Sequence, residues 1–202
     1  MSGAVSGSDD SPVHTKRTDP FLLLLLVASL FLNVYLGWRV KQVGTHPGTQ
    51  RSSLQLSPGT KVDPFTAVGL DGNQQTISYA ATDKPTVFYV LSPSCVWCER
   101  NKANIERLVE LKGNDFRFIG LSLTEAGLKE YAEGHHLKFP IYTRLTSKTI
   151  DSLGLGGTPQ TIVISPEGLV LKNWKGAYAE LTQPEVEAYF GLRLPGLPSR
   201  NN

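Results

Sequence analysis

The chain has 202 residues, 40% apolar and 19% charged, which fits one globular domain with appendages. Lysine and arginine exceed the acids by only two, and no block of basic residues occurs. Nucleic-acid binding, which needs clustered cations, is therefore unsupported, and so is a polybasic membrane-surface patch.

Residues 1–20 are rich in Ser, Gly and Asp and carry no apolar period, so they read as a disordered cytoplasmic tail. Phe21 to Trp38 (FLLLLLVASLFLNVYLGW) follows as the one membrane-length apolar run. As a helix it spans about 27 Å, enough for a hydrocarbon core. Asn33 is its only strongly polar intruder, and Trp38, Arg39 and Lys41 suit the interface. Lys16 and Arg17 precede the run as in a signal peptide, but Val34 to Trp38 offers no small-x-small cleavage site. The segment over 21–38 is thus expected to be an uncleaved transmembrane signal anchor in contact with the lipid bilayer. Cations lie on both flanks (Lys16 and Arg17; Arg39, Lys41 and Arg51), so charge does not orient it. Residues 39–57 read as a polar linker, 58–194 as the folded domain and 195–202 as a flexible tail.

Within the domain, Phe65 to Leu70 and Gln75 to Ser78 flank Asp71-Gly72, a hairpin signal. Thr86 to Leu91 (TVFYVL) is a continuous β-branched and aromatic run, the mark of a strand buried on both faces. Ser92-Pro93-Ser94 ends it, and a helix is expected from Cys95 to Leu111. Phe116 to Leu123 is the next strand and Glu125 to Glu133 the next helix. A short strand over Pro140 to Thr143 and a short helix over Ser147 to Leu153 follow. Gln160 to Ser165 and Leu169 to Trp174 form a hairpin around Pro166-Glu167-Gly168. Thr182-Gln183-Pro184-Glu185 has the pattern of a capping box, opening a last helix toward Phe190. The alternation predicts an α/β domain, a central sheet with helices on both faces.

The chemistry resides in Cys95-Val96-Trp97-Cys98, which holds the only two cysteines. Cys95 falls where the buried strand gives way to a helix, where free N–H groups and the helix dipole favour a thiolate. Cys98, one turn on and more enclosed, is placed to resolve a mixed disulfide. A zinc site would need about four ligands, and adjacent His135 and His136 point in different directions on a helix. A purely structural bridge across so short a loop would stabilise little. Pro159 precedes an apolar strand, where proline is normally excluded, so a cis Thr158-Pro159 bond in a tight turn is expected. That turn would leave backbone groups of Thr158 free for an extended substrate segment. Trp97 offers a flat apolar surface beside the thiols, whereas Trp174, Tyr131 and Phe139 read as core.

Four segments together resemble the TlpA/ResA-type membrane-anchored, thioredoxin-like redoxins of bacteria: Thr86 to Cys98, Phe118 to Ser122, Leu153 to Gly168, and Trp174-Lys175-Gly176. The resemblance covers roughly 58–190 and implies a thioredoxin fold: a central mixed sheet flanked by helices, with an N-terminal β-hairpin and an inserted strand-helix unit over about 116–143. It implies a redox-active Cys95–Cys98 disulfide as the catalytic pair, with Trp97, Thr158 and Pro159 contacting substrate. It further implies a domain facing the periplasm or cell exterior on a single-pass inner-membrane protein, protein thiol or disulfide substrates, a membrane dithiol as electron donor, and no cofactor or metal. Two departures stand out. Thioredoxins often hold a buried carboxylate where this chain has Tyr89, and cytochrome-maturation relatives often hold a Glu where it has Asn101. Glu99, one turn after Cys95, is a possible substitute.

Two other functions remain open. A peroxiredoxin-like peroxidase would match Ser92 as its hydroxyl residue, although Phe88 stands where a proline is usual. A thiol-based metal or haem-protein maturation chaperone would use both sulfurs as ligands. Against it, the initiator is the only Met.

Overall fold

A computed structural model describes residues 20–43 and 56–198. The N-terminal tail up to residue 19, the linker from 44 to 55 and the tail from 199 to 202 lie outside the described residues. The chain divides into two compact units, 1–50 and 51–202.

The first unit contains one helix, α1 (Pro20–Val43), longer at both ends than the apolar run that predicts it. Its described Leu, Phe and Val side chains are exposed, and Asn33 turns its amide back onto the Ser29 carbonyl at 2.8 Å. Self-pairing of this kind satisfies a polar group within the helix. Among the described residues, no helix is long and apolar enough to cross a membrane. The unbroken described run in α1 covers only 23–36. The expectation of a transmembrane anchor over 21–38 rests on sequence.

The second unit is built on seven strands: β1 (Phe65–Gly69), β2 (Gln74–Ile77), β3 (Thr86–Leu91), β4 (Arg117–Ser122), β5 (Ile141–Thr143), β6 (Gln160–Ile164) and β7 (Val170–Lys175). They form one sheet in the order β2-β1-β5-β4-β3-β6-β7. β3 lies at the heart of it, parallel to β4 and antiparallel to β6. The inserted unit returns through α4 (Leu128–His135) so that β5 pairs parallel with β4 and antiparallel with β1. Period-two alternation explains the unbroken apolar run of β3. Phe88 and Val90 face one core, with Ile119, Leu121, Ile162 and the β1–β2 hairpin. Val87, Tyr89 and Leu91 face the other, with Phe118 and Val163. α5 (Ser147–Ser152) brings Ile150 to the first core. α2 (Val96–Arg100), α3 (Lys102–Lys112), α4 and α6 (Thr182–Phe190) contribute to the second.

Four expectations need correction. The helix predicted over 95–111 divides at Asn101, whose fully buried side chain accepts from Tyr178 N and Asn104 Nδ2, both at 3.0 Å. α4 begins three residues late, because Gly127 adopts a left-handed conformation and Glu125 is drawn into a bidentate pair with Arg144. The capping box at Thr182 does not form. Leu181 is the cap residue, and the Glu185 carboxylate instead accepts from Trp174 Nε1 at 3.2 Å. Lastly, residues 195–198 of the expected flexible tail are tied down. Gly196 N donates to Asn104 Oδ1 at 2.9 Å, and Arg100 Nη2 donates to the Pro198 carbonyl at 3.0 Å.

The β6–β7 turn shows how tightly the sheet margin is packed. Gly168 sits at φ +81°, and a Cβ there would lie 2.8 Å from the Val62 carbonyl oxygen. Gly168→Ala is expected to cost about 2 kcal/mol in denaturant unfolding, combining backbone strain with that clash. An unchanged midpoint would contradict this packing.

Candidate active site

β3 delivers its last residue, Leu91, to the sheet's edge, and the chain turns at once. Ser92 holds the turn: its carbonyl accepts from Cys95 N at 3.0 Å, and its hydroxyl meets Thr124 Oγ1 at 2.9 Å. Cys95 then caps α2 in an extended conformation, and its Sγ accepts from Cys98 N at 3.0 Å. An amide N–H aimed at sulfur favours the thiolate when the pair is reduced. The two cysteines are joined as a disulfide, with their Cα atoms 5.2 Å apart. Cys95 is half-buried while Cys98 is 1% exposed, which is the asymmetry expected of an attacking and a resolving thiol.

The Thr158-Pro159 peptide is cis, as expected. Its position follows from register: Gln160 pairs with Val90, so Pro159 stands at the end of β3 from which the cysteine motif departs. The Pro159 carbonyl is used internally, accepting from Gly176 N at 2.8 Å. Thr158, half-buried, makes no backbone hydrogen bond among the described residues. Trp97 is 45% exposed beside the disulfide, with the Arg100 guanidinium 4.7 Å above its ring. Sequence reasoning missed Arg100; its spacing from Trp97 on a helix was the available signal.

The two positions where the resemblance leads one to expect a carboxylate, 89 and 101, are both buried. Tyr89 and Asn101 both belong to the core beneath α2. Burial drives the Tyr89 phenol far above its usual range. The Asn101 amide is near enough to offset part of this, yet neither Tyr89 Oη nor Asn101 Nδ2 reaches hydrogen-bonding geometry. Tyr178, wholly buried, pairs its hydroxyl with Thr161 Oγ1 at 2.7 Å. Glu99 does not replace the missing acid inside the core. Its carboxylate, more than half exposed, meets His135 Nε2 at 3.1 Å on the neighbouring helix.

A mixed sheet whose buried central strand ends in a helix-capping Cys-x-x-Cys, with a cis-proline turn at the same end, defines a thiol–disulfide oxidoreductase of the thioredoxin type. The chain belongs to the AhpC/TSA family, whose signature spans residues 58–172. Among solved structures it is similar to the thioredoxin domain of a thiol-disulfide oxidoreductase from Bacteroides vulgatus. That match has 18% identity and a TM-score of 0.54, covering 67% of this chain and 99% of that one. It is similar to a thiol:disulfide interchange protein from Bacteroides sp., with 18% identity, a TM-score of 0.53 and coverage of 68% and 93%. A third similarity is to a secreted Mycobacterium tuberculosis disulfide oxidoreductase homologous to E. coli DsbE. There identity is 15%, the TM-score 0.51 and coverage 63% and 94%. These likenesses establish the fold. No curated protein sequence matches the chain.

The polar atoms behind the disulfide make opposite predictions. Asn101→Ala strands two buried donors, Tyr178 N and Asn104 Nδ2, and is expected to cost about 2 to 4 kcal/mol in urea unfolding. Tyr89→Phe removes an unpaired buried hydroxyl and is expected to be neutral or to stabilise by about 1 kcal/mol. Loss of stability in Tyr89→Phe would contradict the unpaired state of that hydroxyl.

Proposed function

We propose that the chain is a membrane-tethered enzyme that reduces protein disulfides outside the cytoplasm. The observation that carries the reading is the unequal burial of the Cys95–Cys98 pair beside the Pro159 turn. In the reduced enzyme, the Cys95 thiolate attacks one sulfur of a client disulfide and expels the other as a client thiolate. The Cys98 thiol then loses its proton and attacks Cys95 Sγ, which releases the second client thiolate. Two electrons have passed to the client, its two thiolates take up protons, and the enzyme is left as the disulfide seen here. A second dithiol protein in the membrane restores the reduced form by the same exchange in reverse. The unused Thr158 backbone and the Trp97 face suit an extended client segment laid across the sulfurs.

Tethering rests on the sequence of α1. The apolar run over 21–38 reaches about 27 Å as a helix, close to a hydrocarbon core of about 30 Å. Lys16, Arg17, Arg39 and Lys41 stand outside the apolar run. The outward placement of the domain follows from its chemistry, since disulfides persist as substrates in oxidising compartments.

Cys98→Ser, produced as the full chain in its membrane, should accumulate mixed disulfides through Cys95, while Cys95→Ser accumulates none. A membrane-impermeant maleimide added to intact cells should label the reduced Cys95. Absence of any trapped client contradicts the reductase reading, and labelling only after lysis contradicts the outward orientation.

A further inference from the structure

A cleft of about 910 Å³ lies between α2, the β7–α6 loop and the tethered segment 195–198, and Trp97, between the two cysteines in sequence, lines it. Its apolar lining includes Trp97, Leu181 and Leu197, and Leu181 is 87% exposed. Together Trp97, Leu181 and Leu197 make a contiguous apolar patch, the kind of surface that marks an interaction site. The wall is built in advance, since Asn104 and Arg100 hold Gly196 and Pro198 in place.

The charges lining this cleft are unmatched. Arg100 and Lys175 line it and neither has a carboxylate partner among the described residues; Glu180 is the only acid in the lining. Arg100 spends one donor on Pro198 and stacks on Trp97, which leaves further guanidinium donors for a ligand. The contrast is the cleft between α3 and α4. There Lys102 pairs with Glu106 and Arg107 with Glu110, so two of its cations already have carboxylate partners.

We propose that this cleft selects the client. It receives an extended protein segment that carries an aliphatic or aromatic residue and an Asp or Glu close to the cysteine being reduced. The apolar residue covers Trp97 and Leu181, and the carboxylate meets Arg100 and Lys175. Continuity supports this occupant: Trp97 lines the cleft and lies between the two cysteines, so a segment bonded to Cys95 starts next to it. The inference rests on the oxidoreductase reading and adds a substrate class to it.

The test is single-turnover exchange between the reduced full chain in detergent and short synthetic peptide disulfides. One peptide has Leu and Asp beside its cysteine, a second has Leu and Lys, and a third has Ser and Asp. The Leu/Asp peptide should react at least about three-fold faster than Leu/Lys, a ratio that falls as salt rises. Arg100→Glu or Lys175→Glu should bring that ratio to one or invert it, and Leu181→Ser should erase the advantage of Leu/Asp over Ser/Asp. Lys148→Glu, on α5 and away from the cleft, makes the same change in net charge and should leave the ratios intact. Equal rates for all three peptides, or ratios indifferent to both charge reversals, would overturn the assignment. Ratios that move equally in Lys148→Glu would overturn it too, as long-range attraction only. The small uncharged 2-hydroxyethyl disulfide separates the two levels of inference. If the wild type fails to reduce it, the oxidoreductase reading falls; if it reduces it without peptide preference, only the cleft does.

Discussion

The antiparallel register of β3 against β6 is the constraint on which the site depends. Tyr89 pairs with Thr161 and Val90 with Gln160, so the ends of two strands remote in sequence meet at one edge of the sheet. One carries the cysteines and the other the cis-proline turn. A shift by one residue would turn the apolar set of β3 to the opposite face and move Pro159 out of line with Leu91. The alternation of Phe88 and Val90 with Val87, Tyr89 and Leu91, each set buried in its own core, holds that register. Function here is a consequence of two-faced burial.

Burial also divides the labour between the sulfurs. A thiolate at Cys98 is costly in an apolar surround, so its protonated or disulfide-bonded form is favoured. Cys95, half-buried and faced by the Cys98 N–H, is the better placed of the two to attack. Behind them the core holds the phenol of Tyr89 and the amide of Asn101. Asn101 has become structural: it joins α2, α3 and the loop at Tyr178, and through Asn104 it reaches the segment at Gly196. The wall of the client cleft and the helix bearing the cysteines thus share one chain of hydrogen bonds.

Much of this was legible in the sequence. β3 occupies the TVFYVL run, β6 begins directly after Pro159, and the cis bond was expected from proline at a buried strand's start. These features are local, or are forced by burial on both faces. What escaped depends on partners distant along the chain. Asn101 breaks a helix because Tyr178 N needs an acceptor, and Glu185 leaves its capping pattern because Trp174 offers a donor. Gly127 delays α4 through its backbone conformation, which no periodicity reveals. Arg100 over Trp97 and the tied segment at 195–198 are likewise tertiary facts.

The most direct measurement is the reduction potential of the Cys95–Cys98 couple, taken by equilibration with glutathione or dithiothreitol buffers. One reversible two-electron transition is expected at about −200 mV or lower, among the reducing members of this fold. A transition near about −120 mV, where strong oxidants lie, or a bridge that does not open reversibly, would contradict it.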